Sequence, residues 1–343
     1  MGVDLGDLVE GDEVTLQELG DEDIAIDAMN VLYQFLSIIR QRDGTPLKDS
    51  SGNITSHLSG LFYRNIGLLE NDIRPVYVFD GKAPDLKEKE SAKRKKKREE
   101  AREEWKKLKQ EGKISEAYSK ATQSSKLTGD MVKESKELLE AMGIPTVQAP
   151  SEGEAQAAYM TSEEFSSQVY AVGSQDWDCL LFGAEKMVKN LTQRKTRKTS
   201  GGGKKDISTK VIRLESVLEN LNISHEKLVW MGILVGTDFN PKGVHGIGPK
   251  TGLKLVKKYD NFEELLDDEK VDWDSENSPH VIRDFFMDPP VENKDYEVGD
   301  IDKEQIKKIL VDEHEFSEDR IESGIKDLEE ALESRQSGLN SFM

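Results

Sequence analysis

Cysteine occurs once in this chain of 343 residues, at Cys179. A single thiol excludes a disulfide framework and any cysteine-rich zinc site. Long apolar runs are missing as well: no stretch of 18 uncharged apolar residues exists, so no membrane span is expected. The first residues, Met1-Gly-Val-Asp-Leu-Gly6, lack a basic stretch followed by an apolar core, which argues against a secretory leader. Gly2 could suggest myristoylation, but Gly6 stands where that signal needs Ser or Thr. The expectation is a soluble, cytoplasmic protein. Its length predicts one to two domains, and 36% hydrophobic residues with 27 glycines suffice for a real core.

Charge, by contrast, is abundant: 34% of residues are ionic and the net charge is −19. Such acidity argues against a nucleic-acid partner only if it is spread evenly, and it is not. Asp260 to Arg335 holds 27 acidic and 9 basic residues, which leaves the rest of the chain nearly neutral. Two blocks there are basic. Leu86 to Lys113 carries 13 Lys/Arg against 7 Glu, and Lys186 to Arg213 carries 10 against the single Asp206. A phosphate backbone responds to local fields, because the Debye length at physiological salt is only about 8 Å.

Five short runs read as strands of a mostly parallel sheet: Asp23–Asp27, Pro75–Asp80, Ile144–Val147, Val169–Ser174 and Met187–Leu191. Helical stripes lie between them, at Ala28–Arg40, Leu58–Leu69, Met131–Met142 and Glu154–Met160. The alternation predicts an α/β fold, a sheet flanked by helices, whose ligands gather beyond the strands' carboxyl ends. Between Pro84 and Thr128 the chain turns Lys/Glu-rich, with few apolar residues beyond Leu86, Trp105, Leu108, Ile114 and Tyr118. It is expected to be a helical excursion standing off the body. Lys195 to Lys205 reads as an exposed basic hairpin or loop with a glycine tip, and Gln336 to Met343 as a loose tail.

Acids fall where that fold puts ligands. Asp27 and Asp80 close the first two strands, Asp176 and Asp178 follow the fourth, and Glu152 and Glu154 open a helix. Two unit charges about 4 Å apart repel by roughly 4 kcal/mol at an effective dielectric of 20, so such a cluster needs a compensating cation. Hard divalent ions choose oxygen donors, and no Cys/His pairs compete. Taken singly, each of these acids is more simply a strand-end residue or a helix cap. Their combination with basic, DNA-sized surfaces favours a metal site.

These residues, in this order, resemble the flap endonuclease family of 5′ nucleases over nearly the whole chain. The matching motifs are Ile26-Asp-Ala-Met-Asn, Thr55-Ser-His-Leu-Ser-Gly-Leu-Phe-Tyr-Arg64, Val78-Phe-Asp-Gly-Lys82, Ala149-Pro-Ser-Glu-Gly-Glu-Ala-Gln156, Gln175-Asp-Trp-Asp-Cys-Leu-Leu-Phe-Gly183 and Gly236-Thr-Asp-Phe. The resemblance implies a 5′ nuclease core with a helical arch and a C-terminal helix-hairpin-helix region. It implies Mg²⁺-dependent cleavage at the base of 5′ flaps, with 5′–3′ exonuclease activity, in lagging-strand primer removal and base-excision repair. Two Mg²⁺ per site, for which Mn²⁺ can substitute, would be held by Asp27, Asp80, Glu152, Glu154, Asp176, Asp178 and Asp238. Asp238 reads otherwise as a turn residue. Lys87 and Arg94 would meet the scissile phosphate beside Asp176, and Tyr33 would stack on a base, although a core tyrosine reads equally well. Arg40, Arg64, Glu152, Gly236, Asp238, Gly246, Gly248 and Lys250 would contact DNA.

Gly-Ile-Gly-Pro-Lys250 looks like a helix-hairpin-helix, whose glycines let backbone N–H groups approach a phosphate. The tail resembles a sliding-clamp box on Gln336, Leu339, Phe342 and Met343, where Met343 replaces an aromatic residue. The resemblance further implies an archaeal-type, nucleoid-associated monomer. Its divisions would be 1–83 nuclease region, 84–128 arch, 129–258 nuclease region with the hairpin, 259–335 acidic helices and 336–343 clamp tail. Two rival readings remain: a small ribonuclease domain sharing the acidic edge, and a non-catalytic clamp-associated scaffold.

Overall fold

The computed structural model describes residues 3–41, 43–113, 116, 120–121, 126–192, 196–198 and 204–341. Among these, a seven-stranded mixed sheet runs in the order β1-β9-β6-β5-β2-β3-β4. Its parallel heart is β2 (Asp23–Asp27), β3 (Arg74–Phe79), β4 (Thr146–Gln148), β5 (Ala171–Gly173) and β6 (Lys186–Lys189). These are the five predicted strands, with ends shifted by a residue or two. Missed by the pattern were β1 (Asp12–Val14) and β9 (Thr209–Arg213), which pair antiparallel with each other, β9 also adding to β6. The basic segment forms a separate antiparallel pair, β7 (Thr196–Lys198) with β8 (Lys204–Asp206). The glycines of its expected tip lie outside the described residues.

Successive residues of a strand face opposite sides, and here both sides are apolar, as a sheet covered on both faces requires. On β3, Val76 and Val78 enter one cluster while Tyr77 and Phe79 enter the other. The first face is covered by α5 (Gly153–Met160), α6 (Asp178–Leu181) and α8 (His225–Val235). The second is covered by α1 (Ala28–Ile38), α2 (Ser56–Leu69) and α4 (Gly129–Ala141). Strand β2 sits at the centre of the five parallel strands, with β3 on one side and β5 on the other, so the crevice of the switch point opens at its carboxyl end.

Between β3 and α4 rises α3 (Glu88–Gln110), the predicted excursion. It does not simply stand off the body. Ala101 is buried, and Lys109 donates to Asp43 and Thr45 at 2.9 and 3.0 Å. Ile114 and Tyr118 lie outside the described residues. After α7 (Leu214–Leu221) and α8 comes α9 (Pro249–Lys258), which opens on Gly248 with Pro at its first position.

The acidic region is not helical throughout. Helices α10 (Phe262–Leu266), α11 (Pro279–Met287) and α12 (Lys303–Lys307) are separated by irregular chain, including all of 289–301. That stretch is held by tertiary bonds: Gln156 donates to the Glu292 carbonyl and accepts from its N–H, both at 2.9 Å. The last helix, α13 (Glu318–Ser341), seats Ile321, Ile325 and Leu328 in the second cluster. It carries Gln336 and Leu339 on helical backbone, against the expectation of a loose tail, because extending a formed helix costs little per residue. Phe342 and Met343 lie outside the described residues.

Candidate active site

The seven acids come from separate segments that the sheet brings to one edge. Asp27 ends β2 and caps α1, accepting from the Asn30 N–H at 3.0 Å. Asp80 lies one residue past β3 and accepts from the Gly153 N–H at 2.8 Å, which ties β3 to the start of α5. Glu152 is the N-cap residue of α5, and Glu154 lies in its first turn, 3.4 Å from the Ser174 hydroxyl. The Asp176 N–H donates to that hydroxyl at 3.1 Å. Asp178 begins α6 and accepts from the Val3 N–H at 2.7 Å.

Asp238 arrives by a different route. Helix α8 stops at Gly236, whose φ of +118° favours glycine and whose missing Cβ would press on the Gly243 backbone. Asn240 then accepts from the Thr237 hydroxyl at 2.7 Å and donates to the Ile233 carbonyl at 2.6 Å, locking the turn that presents Asp238.

Burial and mutual repulsion act on these groups together. Burial first, then the charges of Asp80 and Asp176, pushes Asp27 up to about 7. Asp178 is pushed up to about 8 by burial and by Asp176 and Asp238. Glu154 is raised well above the carboxylate range by burial, then by Asp176, Asp27 and Asp178. Burial also raises Glu152 and Asp80, although the surface of Asp80 lies open at the rim. Such an excess of buried negative charge is stable only if protonated or matched by cations.

Two cations come from the base of the excursion. Lys87 ion-pairs with Glu152 and stands 3.4 Å from Asp238. Arg94 clamps Asp238 with both terminal nitrogens, at 2.7 and 3.3 Å. Burial works against the ionised form of Asp238, but the Arg94 bonds and the Lys87 charge outweigh it and hold its pKa well below the usual range. Among the described residues, no three acidic, His or Cys side chains stand close enough to chelate an ion as placed. The acids share an edge without converging, because their charges repel and the Lys87 ammonium fills the space between Glu152 and Asp238. The donor set still fits a hard divalent ion: carboxylate oxygens only, with more negative charge than Lys87 and Arg94 neutralise.

Other predicted residues surround this edge less tightly. Tyr33 on α1 is half-buried rather than core, with the Arg98 guanidinium 4.9 Å over its ring. Arg40 donates to the Gly44 carbonyl at 2.8 Å, in the loop that Lys109 braces. Arg64 is half-buried on α2. Gly246, with φ of +79°, Gly248 and Lys250 are exposed around buried Ile247, and a Cβ at either glycine would meet only open space. Sequence reasoning missed the supports: the Val3 and Gly153 N–H groups and the Ser174 hydroxyl. Ser174 was visible as a strand-end hydroxyl, whereas a backbone donor leaves no side-chain signal.

The XPG N-terminal domain matches residues 5–101 and the XPG I-region residues 143–238. Flap endonuclease 1 of Thermococcus onnurineus is 49% identical over 346 residues, covering 100% of this chain and 99% of the relative. That of Sulfolobus acidocaldarius is 45% identical over 354 residues, covering 99% and 100%. Among solved structures, flap endonuclease-1 from Methanococcus jannaschii superposes with a TM-score of 0.76 at 39% identity, covering 97% of this chain and 100% of that one. The catalytic core of Rad2 in complex with DNA substrate shares the fold, with a TM-score of 0.67, 24% identity and coverage of 93% and 96%.

Proposed function

The chain belongs to the flap endonuclease family of structure-specific 5′ nucleases, and on that premise we propose that its acidic sheet edge cuts 5′ flaps with two divalent ions, Mg²⁺ or in its place Mn²⁺. The observation that carries the reading is the edge itself. Seven carboxylates from distant segments line it, and Lys87, just before α3, and Arg94 on α3 reach in among them. Asp27, Asp80, Glu152, Glu154 and Asp176 would hold the ions, with Asp178 and Asp238 completing the second position. Bound there, such ions would supply Lewis-acid activation of the attacking water and charge stabilisation at the leaving oxygen.

The chain's own residues do the rest. Lys87 and Arg94 already match negative charge at the site, and each can exchange a carboxylate for the scissile phosphate, holding it in line. Because both sit at the base of α3, a strand passing under that helix is drawn toward the acids by the same cations. Tyr33 would stack on an adjacent base, while Arg40 and Arg64 would meet backbone phosphates. Gly246, Gly248 and Lys250 at the start of α9 grip the duplex without reading sequence. The products are a released flap and a ligatable nick, as lagging-strand primer removal and base-excision repair require. At the C-terminus, Gln336, Leu339, Phe342 and Met343 would tether a monomer to a sliding clamp.

A labelled 5′-flap duplex tests the reading. Cleavage about one nucleotide into the duplex with Mg²⁺, none with chelator, and none by Asp176→Asn are expected. An uncut flap in Mg²⁺ would favour a binding scaffold, and an active Asn variant would remove the site assignment.

A further inference from the structure

Asp176 and Asp178 flank Trp177, yet little regular structure holds them. The helix that follows, Asp178–Leu181, is a single turn. A lone turn is not self-sustaining, since it fixes several dihedrals for one hydrogen bond. Asp178 is held by the Val3 N–H and the Asp176 backbone by the Ser174 hydroxyl, and what anchors the residue between them is a further determinant of both orientations. Trp177 is only 8% exposed, and its ring is capped by Lys189, whose Nζ stands 3.7 Å from the ring centroid. An ammonium over an indole face is attracted by the ring quadrupole, most strongly where water is excluded.

Lys189 is well placed to serve as a fixed point. It ends β6, whose Val188 pairs with Gly173 of β5, so its side chain leaves the sheet at the same edge as the acid turn. Burial lowers its pKa despite the opposing influence of Cys179, Asp176 and Asp4, while the indole face favours the cation. Lys87 and Arg94 differ in kind. They belong to α3 and its approach and are bonded to the acids themselves, so substrate phosphate competes for them. Among the described residues Lys189 forms no salt bridge to the seven carboxylates, feeling Asp176 only through its charge, and it stays with the sheet.

We propose that Lys189 is a positioning residue for the metal-binding turn: its cation–π contact fixes the Trp177 indole and through it the directions of Asp176 and Asp178. The proposal rests on those two acids being metal ligands. It makes a prediction that a field effect does not. Removing a positive charge near a cation site should by itself tighten Mg²⁺ binding, whereas losing the anchor should loosen it.

The test compares the full chain with Lys189→Met, which keeps the apolar stem and loses the cation, Lys189→Arg, which keeps the cation, and Asp176→Asn. Mg²⁺ binding is measured by calorimetry without DNA, flap cleavage in single turnover across Mg²⁺ concentration, and melting temperature alongside. For Lys189→Met we expect Mg²⁺ affinity about three- to tenfold weaker and a maximal rate about tenfold lower. Flap KM should stay within twofold and melting within a few degrees, and Lys189→Arg should restore most of the loss. Unchanged or tighter Mg²⁺ binding by Lys189→Met, with Asp176→Asn inactive, would overturn the positioning role alone. So would a deficit that arginine does not rescue and that tracks a drop in melting temperature. Full activity of Asp176→Asn would instead remove the ligand assignment on which the proposal stands.

Discussion

The raised acids make the metal-free protein a proton-dependent fold. Asp27 is held up to about 7 and Asp178 to about 8, against an ordinary value of 3.8 for an exposed aspartate in the unfolded chain. A carboxyl whose native pKa is raised contributes stability at low pH and loses it as pH climbs through the native value, because the native state binds more protons than the unfolded state in between. Each such proton is worth about 1.4 kcal/mol per pH unit. From pH 5 to pH 7 the unfolded chain has released both protons while the native chain keeps them until Asp27 begins to ionise near 7, which sets a ceiling of roughly 5 kcal/mol for the pair. A third of that already moves a melting midpoint by a few degrees. Chelator-treated protein should therefore melt progressively lower from pH 5 to pH 8, and Mg²⁺ added at pH 8 should restore much of the loss. Differential scanning calorimetry on the wild type and on Asp27→Asn/Asp178→Asn decides the matter, the variant showing a shallower slope. A flat or rising midpoint for the stripped wild type, or an unchanged slope in the variant, would refute the reasoning.

Three further outcomes follow from named contacts. Lys87→Met and Arg94→Met should each slow single-turnover cleavage by about 10²–10³-fold while flap binding changes far less, as for other donors aimed at developing charge; equal losses in both would mean that these cations only bind. Gly248→Ala adds a methyl to open space at an ordinary φ of −97°, so the fold should be unaffected, and flap DNA should bind about five- to tenfold more weakly by anisotropy. Gly324→Ala would set a Cβ 2.5 Å from the Phe62 ring, where α13 crosses α2, and should cost about 1–3 kcal/mol in urea unfolding without moving the cleavage site.

The parallel heart of the sheet was legible because strands covered on both faces read as unbroken apolar runs, as in Ile24-Ala-Ile and Val76-Tyr-Val-Phe. Strand β9 was not, since Thr209-Lys-Val-Ile-Arg213 is short and charge-flanked, and β1 exists only by pairing with it. Six acids were readable from strand and helix ends, where position alone predicts a shared edge. Asp238 was readable only through resemblance: its direction depends on the Gly236 conformation, the Gly243 approach and the Asn240 bonds, none of which has a period. Chain 289–301 was equally opaque, because side chains such as Gln156, distant in sequence, hold it in place. The tail was misjudged for the opposite reason: Gln336-Ser-Gly-Leu-Asn-Ser341 reads as loop, yet it continues a helix already paid for upstream.

Anomalous diffraction from crystals soaked in Mn²⁺ addresses the central claim most directly. Two peaks are expected at the sheet edge, within coordination distance of oxygens from Asp27, Asp80, Glu152, Glu154, Asp176, Asp178 and Asp238, about 2.0–2.6 Å away. Crystals that show no peak there, or whose ions sit elsewhere while flaps are still cut, would contradict it.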